Sequence, residues 1–165
     1  NIYHQGDLPE SFNLQIEIRQ IGDQYGEWLF TVPVSRQYTD AATKVILPIK
    51  TVTVGQTTIT VKKIQIAPSS TTVDWELKQP ITAPHFSSVP FLVEDDKGEQ
   101  CVFRPISGSP LDHQVEGDVE TWTNREVYES PESIPEYLVL RPNPTMFHEH
   151  SQIDSQLQEI KIFLD

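Results

Sequence analysis

Apolar side chains in this sequence recur at every second position. From Phe12 they fall at Phe12, Leu14, Ile16 and Ile18, with Asn13, Gln15, Glu17 and Arg19 between them. The same rhythm returns at Trp28, Phe30, Val32 and Val34. A period of two puts alternate residues on opposite faces of an extended chain, so it marks strands with one buried and one wet face. A helix needs a period of 3.6, and no segment of useful length carries it. The two runs predict strands joined by a turn region from Gly22 to Gly26. Trp28 shares the parity of the aliphatic residues and is expected in the core. Pro33 falls on the opposite parity and lacks an N–H, which places this strand end at a sheet edge or bulge.

Ser35 to Thr43 breaks the alternation and fits one helical turn, with Tyr38 expected to face the core. Extended chain resumes at Lys44–Leu47 and Thr51–Val54, and Gly55-Gln56 reads as a tight hairpin turn into a strand from Thr57 to Ile66. Within that strand the apolar parity slips from Ile59 and Val61 to Ile64 and Ile66. One extra residue re-phases a pleat, so a β-bulge is expected at Lys62-Lys63. Val73, Trp75 and Leu77 then share one face. Residues 79–90 carry prolines at 80, 84 and 90 and read as a long inter-sheet connection. Phe91–Glu94 and Gln100–Arg104 flank a glycine-bearing acidic loop, Asp95 to Glu99. Val115–Val127 has only weak strand character around Val119 and Trp122. Tyr137–Leu140 is a short strand, and Leu157–Leu164 closes the pattern with Ile160, Ile162 and Leu164. Nine or ten short strands with breakers every eight to twelve residues indicate an all-β antiparallel sandwich, and the long links favour Greek-key connections over an up-and-down barrel. The expectation is one domain over residues 1–165, with an acidic stretch around 112–136 and a less regular tail at 143–165.

Charge narrows the partners. The formal net charge is −12. Residues 1–83 are close to neutral, with eight acids and seven bases, whereas residues 84–165 hold sixteen acids and five bases. From Asp112 to Glu136 eight acids face Arg125 alone. Phosphate backbones and anionic headgroups both need a cationic surface, so nucleic acid and anionic lipid are poor partners. A solvated acidic face is the plain reading, and a surface that attracts cations or a basic partner is the sharper one. No apolar run reaches the length of a bilayer crossing. The sequence starts at Asn1 rather than Met and shows no export signal, which reads as a piece of a longer protein with any anchor outside it. Cys101 is the sole cysteine, so an internal disulfide is impossible. Its neighbours Val102 and Phe103 suggest a buried, unreactive thiol.

Few residues invite chemistry. His148-Glu149-His150 puts two imidazoles on one strand face, but no spacing selects a third zinc ligand among His4, His85, His113 or a carboxylate. Asp95, Asp96 and Glu99 lack the ligand series of a calcium loop. Ser107-Gly108-Ser109 is no nucleophile elbow. Paired carboxylates are too abundant here to carry information. No catalytic, cofactor-binding or metal-binding residue is assigned, and no cofactor is expected. Trp75 is expected in the core. Trp122, set in Glu120-Thr121-Trp122-Thr123-Asn124, has polar neighbours on both sides; burial is the plain reading, and exposure, which would keep open a glycan-binding surface, is the sharper one.

The residues Gly6-Asp7, Pro9, Phe12, Leu14, Ile16, Ile18, Gly26, Trp28, Phe30, Val32 and Val34 resemble a module of Gram-positive membrane proteins from uncharacterised families related to anti-sigma factors. The likeness continues through Val45, Pro48, Lys50, Ile59, Ile64, Ile66 and Pro68-Ser69, then Asp95-Asp96 with Gly98, and more loosely Tyr137, Leu138, Leu140 and Pro142. It spans about residues 6–142 and is thin after Gln79; the acidic stretch and the tail depart from it. In such proteins a short cytoplasmic segment and one membrane helix precede an immunoglobulin-like extracytoplasmic region. The resemblance therefore implies an immunoglobulin-like sandwich without catalytic residues, at the cell surface and tethered by a membrane helix outside this sequence. Its expected role is sensing or protein contact, with another protein or a surface component as partner. The alternative is a carbohydrate- or wall-binding sandwich.

Overall fold

The computed structural model describes residues 9–83, 91–105, 110–143 and 159–164. Twelve strands and one short helix occur among them. The chain divides into two compact units, one up to Thr43 and one from Lys44 onward.

The first unit is an antiparallel hairpin of β1 (Ser11–Ile21) and β2 (Gln24–Ser35), followed by α1 (Gln37–Ala41). Its turn is tighter than the sequence suggested. Gly22 adopts φ 57° and closes the hairpin with Asp23, while Gly26 lies within β2. Gly26 is there for space: a Cβ on it would stand 2.7 Å from the Trp28 ring. The register sets Phe12 opposite Val34, Leu14 opposite Val32, Ile16 opposite Phe30 and Ile18 opposite Trp28. The alternation therefore builds one apolar face, as expected. Among the described residues of this unit it does not build a core, because two strands by themselves have no second layer to close on. Trp28 is half-buried and Ile16, Phe30 and Val32 are exposed. Tyr38 is 85% exposed rather than facing a core.

The second unit is an all-β arrangement of two antiparallel sheets that do not close into a barrel. The larger sheet runs β3 (Lys44–Ile46), β5 (Thr57–Ala67), β6 (Ser70–Pro80), β10 (Val119–Tyr128), β9 (Asp112–Glu116), with β4 (Lys50–Val54) also on β5. The smaller runs β12 (Ile160–Phe163), β11 (Tyr137–Pro142), β7 (Phe91–Glu94), β8 (Gln100–Cys101). The chain thus changes sheet between β6 and β7, between β8 and β9, and between β10 and β11.

The expected bulge is present: the β5–β6 register shifts between Val61 and Lys63. It re-phases Ile64 and Ile66 onto the face of Ile59 and Val61, and all four are buried. The same place divides the neighbouring edge, since β4 pairs up to Val61 and β3 pairs from Ile64. Between β3 and β4, Ile49 adopts φ 44°, a costly conformation for a β-branched residue. The core joins these residues to Val73, Trp75 and Leu77 of β6, Phe91 and Val93 of β7, Leu138 and Leu140 of β11, and Ile160 and Ile162 of β12. Side chains of this kind stabilise by about 1.5–3 kcal/mol each when fully buried. Tyr128 ties the layers together. Its hydroxyl donates to the Phe91 carbonyl at 3.1 Å, its ring meets Phe103 edge-on at 5.8 Å, and burial holds the phenol far above its usual pKa.

Candidate functional site

The weak strand character of residues 115–127 conceals a well-formed hairpin, β9–β10, closed by Gly117-Asp118 with Gly117 at φ 60°. Glycine at the first central position suits the type II′ turn that matches strand twist. Strand β10 lies against β6, with Glu120 opposite Gln79, Trp122 opposite Leu77, Asn124 opposite Trp75 and Glu126 opposite Val73. The inward parity of β10 therefore reads Glu120, Trp122, Asn124, Glu126, Tyr128. It is this polar inward face that hid the strand from a hydrophobic reading.

Glu120 is 4% exposed. A buried carboxylate is costly without partners, and it has them. Gln79 Nε2 donates to Glu120 Oε1 at 2.6 Å, and His113 Nε2 lies 3.3 Å from Oε2. Behind Gln79, Thr57 Oγ1 donates to Gln79 Oε1 at 3.5 Å. The His113 imidazole stacks on the Trp122 indole, with centroids 3.6 Å apart and planes inclined by 15°. Four strands, β5, β6, β10 and β9, thus share one polar chain that runs from the buried Thr57 to the partly exposed His113. Trp122 is half-buried and packed against the core, with one ring face covered by His113.

Farther along the same face, burial raises the Glu126 carboxyl to about 7. The Trp75 indole N–H lowers it in part but, among the described residues, has no partner within full hydrogen-bond geometry.

The other residues weighed for chemistry hold the fold together. Asp95 Oδ1 accepts from the backbone N–H groups of Lys97 and Glu99, at 2.9 and 2.8 Å, and caps its own turn. Asp96 Oδ2 accepts from the Glu136 N–H at 2.7 Å, tying this loop to the approach of β11. Cys101 is buried, and desolvation first, with the Asp95 charge second, pushes its thiol up to about 11. It is therefore a poor nucleophile at neutral pH. His4, His85, His148, Glu149, His150 and Ser107-Gly108-Ser109 lie outside the described residues. Among the described residues no group of three or more His, Cys, Asp or Glu is placed to hold a metal ion, and no helix is long and apolar enough to cross a membrane.

Residues 43–162 match the model of a family of unknown function, DUF5643. The chain belongs to that family. The matched region begins one residue before the second unit, so the β1–β2 hairpin precedes the family's domain. A solved structure titled as the conserved domain protein from Bacillus anthracis is similar, with a TM-score of 0.57 at 15% identity. The match covers 99% of this chain and 64% of that one, so this chain spans less than two thirds of its neighbour's length. At that identity the likeness concerns the fold alone. No curated protein matches.

Proposed function

We propose that the DUF5643 chain is a non-catalytic contact module, displayed outside the cytoplasm by an anchor elsewhere in its protein. Its sandwich is read as immunoglobulin-like with Greek-key crossings, and the repeated change of sheet along the chain supports that reading. The setting comes from the resemblance to extracytoplasmic regions of membrane proteins related to anti-sigma factors.

One observation carries the contact role. The β1–β2 hairpin gathers eight apolar residues on one face and leaves Ile16, Phe30 and Val32 37%, 47% and 41% exposed. Apolar surface collected on one side of a two-stranded ribbon is a surface suited to a partner. The polar groups that most resemble a reaction centre point the same way, because Glu120, Asp95 and Cys101 serve hydrogen bonding or burial within the fold. A glycan platform would need an open Trp122 ring, and His113 covers one face of it.

A photo-reactive phenylalanine analogue at position 30 or 32 of the full-length protein, in its own cells, tests this. Irradiation is expected to give a discrete adduct, and protease added outside intact cells is expected to digest the chain. A chain shielded from external protease overturns the location. Irradiation without an adduct at either position overturns the contact role.

A further inference from the structure

We propose that β9 is a docking edge for an extended basic segment, which would add to the larger sheet as its next strand. This names a partner chemistry for the contact role above and rests on that reading. Among the described residues strand β9 ends the larger sheet, and all five of its residues are exposed. In a two-residue hairpin the closing pair, here Glu116 and Val119, is the hydrogen-bonded kind, and bonded and non-bonded pairs then alternate. The peptide groups of His113 and Val115 consequently point away from β10. The His113 N–H is already taken by Asp112 Oδ1 at 2.9 Å, which leaves the Val115 N–H and the two carbonyls for an incoming strand.

Side-chain parity defines the rest of the partner. Asp112, Gln114 and Glu116 share the outer face, while Val115 lies on the inner side beside His113. Among the described residues no lysine or arginine pairs with Asp112, Glu116 or Asp118, and Arg125, the sole base from 112 to 136, is held by Asp74. A strand with lysine or arginine at alternate positions and apolar residues between them would set its cations against Asp112 and Glu116 and its apolar side along Val115. Backbone pairing gives such an addition its affinity, and alternate side chains give it selectivity.

The test titrates the purified chain with a seven-residue peptide of alternating lysine and valine, N-methylated along one edge so that only the other can pair. A peptide with the same residues scrambled and one of alternating glutamate and valine serve as controls. Binding is expected to shift the amide signals of residues 112–116, to weaken with salt, and to be at least tenfold weaker for both controls. Val115→Pro removes the outward N–H without touching the bonds to β10, and is expected to weaken binding at least tenfold. Asp112→Lys with Glu116→Lys keeps every N–H and is expected to transfer preference to the glutamate peptide. No binding at millimolar peptide, shifts confined to residues outside 112–116, or affinity unchanged by both sets of substitutions would overturn the proposal. The assay needs no cell, so its failure leaves the hairpin crosslink standing, and failure of the crosslink leaves this edge standing.

Discussion

Strands β5 and β6 and strands β9 and β10 are two antiparallel pairs of one sheet, and they fill the inward parity with different chemistry. The first pair sends in Ile59, Val61, Ile64, Ile66, Val73, Trp75 and Leu77, all buried. The second sends in His113, Val115, Glu120, Trp122, Asn124, Glu126 and, at its far end, Tyr128, of which only Glu120 and Tyr128 are buried. A sheet needs one well-packed face to fix its register, and β5–β6 supplies it. Strand β10 then takes its register along β6 by direct pairing, so its own inward residues are free to be polar. The difference predicts that mutations across this one sheet should have graded costs.

The largest effect belongs to the apolar pair. Ile64 is fully buried at the bulge, and Ile64→Ala should cost about 2–5 kcal/mol by lost burial and a cavity. Val115→Ala on the opposite edge, at a residue 55% exposed, should stay within about 0.5 kcal/mol. Urea unfolding of the two variants measures both. Similar costs would break the comparison.

Where the two pairs meet, the polar chain should matter nearly as much. Gln79→Leu removes the donor to Glu120 Oε1 and the acceptor of Thr57 in surroundings that water does not reach. Loss of buried partners of this kind costs about 1–3 kcal/mol. Urea unfolding of this variant should therefore show a cost between those of Ile64→Ala and Val115→Ala. A neutral result would mean that apolar packing alone seats β10.

Glu126 gives the comparison a pH axis. Its carboxyl is raised to about 7 from a reference value of 4.5, mainly by desolvation. Below about pH 4.5 it is protonated in both states and costs nothing. Between pH 4.5 and 7 the unfolded chain releases its proton first, so stability falls as pH rises, and above 7 the loss is complete. The group keeps substantial solvent contact, which trims the effect to on the order of 1–2 kcal/mol. Glu126→Gln should thus unfold like the parent at pH 4.5 and be more stable at pH 8. Equal stability gains at both pH values would assign the effect to packing instead.

The same division explains what the sequence could show. Wherever the inward parity was apolar, the fold was readable: the strands from Thr57 to Leu77, the bulge at Lys62-Lys63, the acidic turn before Gln100 and the presence of a last strand at Ile160 and Ile162. The helical turn after Ser35 is legible too, although Tyr38 on it is exposed rather than inward; parity places Trp28 in a core because alternation cannot tell a face that closes on a second layer from one that does not. The β9–β10 hairpin was the main loss. Ahead of Tyr128 the inward residues of β10 are Glu120, Trp122, Asn124 and Glu126, and hydropathy has no term for a carboxylate buried against a glutamine from another strand. Gly117-Asp118 between two valine-bearing runs was the available signal. His113 was weighed only as a metal ligand, because its stacking on Trp122 depends on cross-strand register.

The outward face of the same strands sets the lower limit of the scale. Arg125 Nε and Nη2 bond Asp74 Oδ1 and Oδ2 at 2.6 and 2.8 Å, a two-pronged pair between β10 and β6. The bond to Asp74 raises the Arg125 pKa, so the guanidinium stays charged at any working pH. About half of the Arg125 side chain faces solvent, and exposed pairs are worth about 0.2–1 kcal/mol. Arg125→Ala should therefore cost no more than that. Arg125→Lys should recover part of it, since an ammonium keeps the charge but not the fork. In 1 M salt the gap between parent and alanine variant should shrink. A loss of several kcal/mol would mean that β10 is held to β6 from its outer face, and the inward polar chain would no longer be needed to explain its seating.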